Sequence, residues 1–110
     1  MYNINIMKYL KNQYKHIGFR KSQVKGKKYD AILKNRTNDN ILKYVPFGGI
    51  KMDGTPYQQF RDSTGLGIYS KYDHGDKNRK RLYRIRHSKE KMSFGKYWTA
   101  GLFSWRFLWN

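Results

Sequence analysis

Cysteine is absent from this chain of 110 residues, proline occurs twice, and only seven side chains are acidic, one of them a glutamate, Glu90. Without cysteine there are no disulfides and no thiolate metal ligands, so an intracellular setting is expected and folding has neither staple to lean on. One glutamate excludes a pair of glutamates working as general acid and base, and no Ser/His/Asp arrangement is evident. No apolar run approaches the roughly 18–20 residues that span a bilayer, and the opening MYNINIMKYLKNQYKH lacks the apolar centre of a signal peptide. No membrane span is therefore expected. The length allows a single small core, too small for an enzyme with its own cofactor domain.

What the chain has in excess is positive charge and aromatic rings. Twenty-four Lys and Arg give a formal net charge of +17, and 17% of the residues are aromatic, with ten Tyr and three Trp. Self-repulsion of that size opposes compaction unless a polyanionic partner or an assembly offsets it. The aromatics argue against a plain disordered basic tail, which would lack the means to build a core.

The densest charge lies in Tyr69–His87, YSKYDHGDKNRKRLYRIRH. Asp73 and Asp76 can each accept hydrogen bonds from the free N–H groups of a helix start, where negative charge is also favoured, so a helix is expected over 76–88. It carries Lys77, Arg79, Lys80, Arg81, Arg84 and Arg86 with no acidic residue among them. Leu82 and Ile85, with Tyr83, are expected to form a narrow stripe against the body while the cations point outward. A merely solvated helix would interleave acidic residues at i±4, so the segment reads as a polyanion-binding face whose guanidinium groups suit phosphate.

Residues 1–27 form a basic arm ahead of a single small domain, 28–110. Eight Lys or Arg fall within residues 1–28 with no acid, and Lys8, Lys11, Lys15, Arg20 and Lys21 join the candidate polyanion-binding set. The spacing of Ile4, Met7, Tyr9, Leu10 and Tyr14 predicts a marginal amphipathic helix, and Gly18–Lys28 is expected to be extended or mobile, ordering against a partner or remaining a frayed terminus.

Alternation of Tyr29, Ala31 and Leu33 against Asp30, Ile32 and Lys34 predicts a strand, the turn residues 35–40 follow, and Ile41–Val45 resumes an extended run. Pro46 is expected to break the pairing, with 47–52 adding a short third strand. Thr55-Pro56-Tyr57-Gln58 reads as a capped helix start, giving a short helix over 56–63 closed near Gly65, after which Leu66, Ile68 and Tyr69 turn into the core. At the C-terminus Thr99 can cap a helix carrying Leu102, Phe103, Trp105, Phe107 and Trp109, with Trp98 just before it. Apolar almost all round, this segment is expected to pack on the hairpin or to dock into a neighbouring protein. The expected fold is thus a small α+β domain: a β-hairpin or three-stranded sheet, a short helix, a basic helix and an aromatic C-terminal helix.

Several motifs in order, Phe47-Gly48, the YxxFxD of Tyr57–Asp62, the GLGxYSxxDHxD of Gly65–Asp76, Arg79 to Tyr83 with Arg86-His87, and the SWxxLW of Ser104–Trp109, resemble small basic proteins of nucleo-cytoplasmic large DNA viruses. The resemblance covers residues 28–109 and leaves out the arm. It implies a viral protein carried in or on the particle, located in the virion or otherwise in host cytoplasm or viral factory, and carries no catalytic residue.

Asp62, Asp73, His74, Asp76 and His87 are the one set with ligand types suited to metal-assisted phosphodiester hydrolysis. Helix capping explains Asp73, Asp76 and His87 more simply, so neither metal, cofactor nor small-molecule substrate is expected. The expectation is a non-enzymatic virion component, a minor capsid or accessory protein. Its partners would be neighbouring capsid proteins and nucleic acid, bound through phosphates without sequence readout. The alternative is a free nucleic-acid-binding protein of packaging or transcription.

Overall fold

A computed structural model describes residues 8–110 and shows the expected α+β class. Three antiparallel strands, β2 (Tyr14–Lys21), β3 (Lys27–Asn35) and β4 (Leu42–Gly49), form one sheet in the order β2-β3-β4. A strand pair joins β1 (Tyr9–Leu10) to β5 (Tyr97–Trp98); among the described residues there are also two α-helices, α1 (Lys77–Arg86) and α2 (Ala100–Phe107), and short 3-10 helices at Ser70–Tyr72 and Ser88–Ser93.

The β3–β4 hairpin follows the predicted alternation. Tyr29, Ala31 and Leu33 from β3 and Val45 and Phe47 from β4 are fully buried, and α2 covers them with Leu102, Phe103 and Leu108. Asn35 builds the connection, its side-chain oxygen accepting from the N–H groups of Thr37 and Asn38 at 3.0 Å each. Pro46 does not end the ladder: it pairs opposite Asp30, because β4 is an edge strand whose outer side needs no donor.

The third strand comes from the other side of the hairpin. Residues 14–21, read as part of an arm, pair with β3 from Tyr14↔Asn35 to Lys21↔Tyr29, with an irregularity between His16 and Gly18. The predicted helix over Ile4–Tyr14 is not formed in its described part, where β1 pairs with β5 instead; residues 4–7 lie outside the described residues. Tertiary pairing and aromatic packing override a weak local helix signal here. His16 sits against Phe19 (4.7 Å), Phe103 (4.9 Å) and Trp98 (5.8 Å), and the Trp98 indole donates to the Tyr14 carbonyl at 2.9 Å.

The predicted short helix over 56–63 is also absent. Its backbone groups are spent on other segments: Tyr57 N–H donates to Gly49 O, Gln59 N–H to Tyr72 O, Arg61 N–H to Leu108 O and Ser63 N–H to Phe107 O. The last three compete with i→i−4 bonds of that helix and win by lacing the segment to the end of α2 and the turn before α1, while the Tyr57 bond ties its start to β4. Gly65 (φ +87°) and Gly67 (φ +67°) turn the chain beyond it, but only Tyr69 reaches the core; Leu66 and Ile68 stay about half exposed.

Three polar side chains are buried among these elements: Lys28, Asp30 and Gln59. The Lys28 ammonium donates to Tyr57 O and Gln59 Oε1, both at 2.6 Å, while Gln59 Nε2 donates to Tyr69 O and Asp73 Oδ1, both at 2.9 Å. Asp30 accepts from Arg20 Nε (3.0 Å) and Ser22 Oγ (2.6 Å). The Tyr29 hydroxyl donates to the Asp62 carboxylate and accepts from Tyr69 N–H at 3.3 Å. With its partners made, each group is tolerated inside.

Candidate nucleic-acid interface

The basic helix begins where the local sequence indicates. Asp76 is its N-cap, Oδ1 accepting from Asn78 N–H (2.9 Å) and Arg79 N–H (3.1 Å). Asp73 does not share the capping; it accepts from Gln59 Nε2 and from Asp62 N–H at 2.9 Å, tying the preceding loop to the 59–62 segment. His74 Nδ1 accepts from Asp76 N–H at 2.9 Å, and His87 closes the helix.

Leu82 and Ile85 do not face the body: they are 41% and 58% exposed, and the one buried side chain of α1 is Tyr83. Its ring stacks on Trp109 at 4.4 Å with planes 2° apart. Burial pushes the phenol up to about 12, helped by the nearby Glu90 charge. An aromatic docking against Trp109 thus sets the rotation of the helix in place of the aliphatic pair.

That rotation gathers a cationic face. Lys77, Lys80, Arg81 and Arg84 follow one another at i, i+3, i+4 and i+7, the spacing of a single helix side. Together with Ile85, Ser88, Lys91 and Trp105 they line a groove of about 470 Å³. A neighbouring recess of about 590 Å³ shares Arg84, Lys91 and Trp105 and adds Phe94, Arg106, Phe107 and Asn110. No Asp or Glu side chain lines either hollow. Arg84 is held in place by Asn110 Oδ1 at 2.7 Å, and its guanidinium lies 5.1 Å from the centre of the Trp105 ring, with the Lys91 ammonium 5.6 Å from the same centre. Lys80 lies over Phe60 at 4.5 Å.

The other candidate cations are distributed elsewhere. Arg79 donates to Gln58 Oε1 at 2.9 Å, and Arg86 lines a separate cavity beside Lys27, Lys28 and Glu90. Arg20 is committed to buried Asp30 and stacks 3.6 Å over Tyr44, so it braces the sheet. Lys8 lies over Tyr97 (5.1 Å) and Lys11 over Trp98 (4.6 Å); burial, then the nearby Arg106 charge, lower the Lys11 pKa. Lys15 lines a hollow with Lys34, Arg36 and Asp39, and Lys21 is exposed on β2. Neither borders the groove.

Of the aromatic tail, Leu102 and Phe103 are buried, Trp98 stacks on Phe103 at 5.5 Å, and Phe107 meets Phe19 at 4.7 Å. The tail packs on the sheet of its own chain, and Trp105 is its member in the groove. Sequence reasoning placed Trp105 as a packing or partner-docking residue and omitted Lys91; the i, i+3, i+4, i+7 series of cations was the signal that could have oriented the helix.

The candidate metal set does not assemble. Asp62 is bonded to Tyr29 and Thr64, Asp73 to Gln59, and His87 to Glu90. Among the described residues no three His, Cys, Asp or Glu side chains gather where they could hold a metal ion, and no helix is long and apolar enough to cross a membrane. The fold and its groove define a small α+β domain with a strongly cationic groove beside α1. No known protein family, curated protein or solved structure matches the chain.

Proposed function

We propose that this protein is a genome-facing component of a large DNA virus particle that holds nucleic acid by its phosphates without reading sequence. The observation that carries the binding part is the groove beside α1, where Lys77, Lys80, Arg81, Arg84 and Lys91 converge with no carboxylate among them. Cations placed so repel one another in the free protein, and a row of phosphates relieves that repulsion while releasing counterions. Phosphate contacts give affinity and register but no sequence information. The motif resemblance supports the particle setting. A free role in packaging or transcription would use the same groove, and the amount of the protein in purified particles relative to infected-cell extract separates the two.

The test is duplex binding across a salt series. The five cations of the groove set an upper limit of about −4 to −5 on the slope of log K against log salt. The exposed triple variant Lys77→Ala, Arg81→Ala, Lys91→Ala should flatten it by about 2 to 3 units, whereas Lys15→Ala, Lys21→Ala, Lys25→Ala, of equal charge loss outside the groove, should leave it nearly unchanged. Equal effects of the two triples would mean that the groove is not the binding site.

A further inference from the structure

Phosphate binding needs cations but not an indole. Trp105 lines both recesses, with the Phe94 ring 5.6 Å away and at 80° to it. We propose that the groove takes single-stranded nucleic acid, with an unpaired base stacked on Trp105 while the α1 cations follow the backbone. This rests on the nucleic-acid reading above and names the form of the ligand.

The geometry favours a single strand over a duplex. Lys77 to Arg84 spans about 10 Å of helix axis, a track for two or three consecutive phosphates at 1.5 Å rise per residue. The Arg84 guanidinium, held by Asn110, and the exposed Lys91 ammonium both lie over the ring, so a base stacks on the indole by taking the place of the Lys91 ammonium. Lys91 makes no side-chain hydrogen bond among the described residues and is free to swing from the ring to a phosphate. A duplex keeps its base faces covered by the stack and offers only edges and phosphates, leaving a recessed indole unused. A single strand can turn a base into the recess, the arrangement by which aromatic platforms bind without sequence preference.

The full chain is titrated with labelled dT12, an abasic twelve-mer and a twelve-base-pair duplex across one salt series, and affinities are compared at equal salt. The expected order places dT12 about ten-fold tighter than the abasic strand, the lower part of the range for stacking one base, and tighter than the duplex. Trp105→Leu should bring dT12 to the abasic affinity while leaving the abasic affinity unchanged, and Trp105→Tyr should keep most of the preference. Equal affinity of the native chain for dT12 and the abasic strand overturns the proposal; if that shared affinity still falls with salt, the phosphate reading stands. Binding to none of the three removes both. Tighter binding to phosphatidylserine vesicles than to dT12, through exposed Leu82 and Ile85, also overturns it. The abasic comparison uses the native chain, so it holds even if a Trp105 variant fails to fold.

Discussion

Lys28 should make the protein more stable in mildly alkaline solution than at neutrality. Its side chain is 2% exposed and its pKa is lowered from 10.5 to about 8, chiefly by burial, with the Asp62 and Asp73 charges acting in the opposite direction. In the unfolded chain the amine keeps its ordinary pKa, so between about pH 8 and 10.5 the unfolded state binds more protons, and stability rises with pH across that window. Below it the whole penalty is present, on the order of 3 kcal/mol at about 1.4 kcal/mol per pKa unit. Integrating between about pH 7 and 9.5 recovers about 2 kcal/mol, which for a domain of this size is a rise in Tm of about 10 °C. Above about pH 10 the sign reverses. Tyr29 and Tyr83 are both pushed up to about 12, mainly by burial, so the unfolded chain loses those protons first and stability falls between about pH 10 and 12. Guanidinium titrations at a series of pH values are the appropriate assay, because the denaturant also screens the repulsion of the +17 net charge. Lys28→Met removes the titrating group and should flatten the rise between pH 7 and 9.5. A wild-type midpoint that does not increase over that interval would refute the reasoning, as would an equal increase in Lys28→Met.

Two further substitutions probe the scaffold of the site. Asp76→Ala removes the cap of α1 and should cost about 1 kcal/mol by denaturant titration, weakening nucleic-acid binding no more than that loss of helix order requires. Gly48→Ala should cost about 1 to 3 kcal/mol, because Gly48 has φ +79° and a Cβ there would lie 3.1 Å from Leu108 Cδ1 and from the Lys28 stem; a neutral result would mean that the β4 end yields easily.

What the sequence made legible was local. The Asp76 and Thr99 caps, the alternation of Tyr29, Ala31 and Leu33, and the turn after Asn35 each depend on residues within a few positions of one another. The errors were all cases where a distant partner outbid a local signal. Thr55-Pro56 looked like a helix start, but the carbonyls of Tyr72, Leu108 and Phe107 take the N–H groups that helix needed. Leu82 and Ile85 looked like the docking stripe, and Trp109, 26 residues after Tyr83, decided otherwise. Periodicity carries no sign that a lysine and a glutamine will be buried together, since Lys28 and Gln59 are explained by each other and by distant partners, the carbonyls of Tyr57 and Tyr69 and the carboxylate of Asp73. The groove was half legible: its cations were in view, whereas its floor required knowing which way α1 is turned.

The pairing of β1 with β5 bears on how the chain can be made. Tyr9 lies opposite Trp98, and Trp98 in turn donates to the carbonyl of Tyr14, so the first described strand waits for a partner nearly ninety residues later. On the ribosome the β2-β3-β4 sheet can be complete while its aromatic face still lacks α2, leaving a basic, ring-rich surface open to the RNA around it. Closure then comes as a late, long-range step, and chains dominated by such contacts fold in milliseconds to seconds rather than microseconds. Nascent protein held at that stage is the form most exposed to aggregation and to premature capture by nucleic acid.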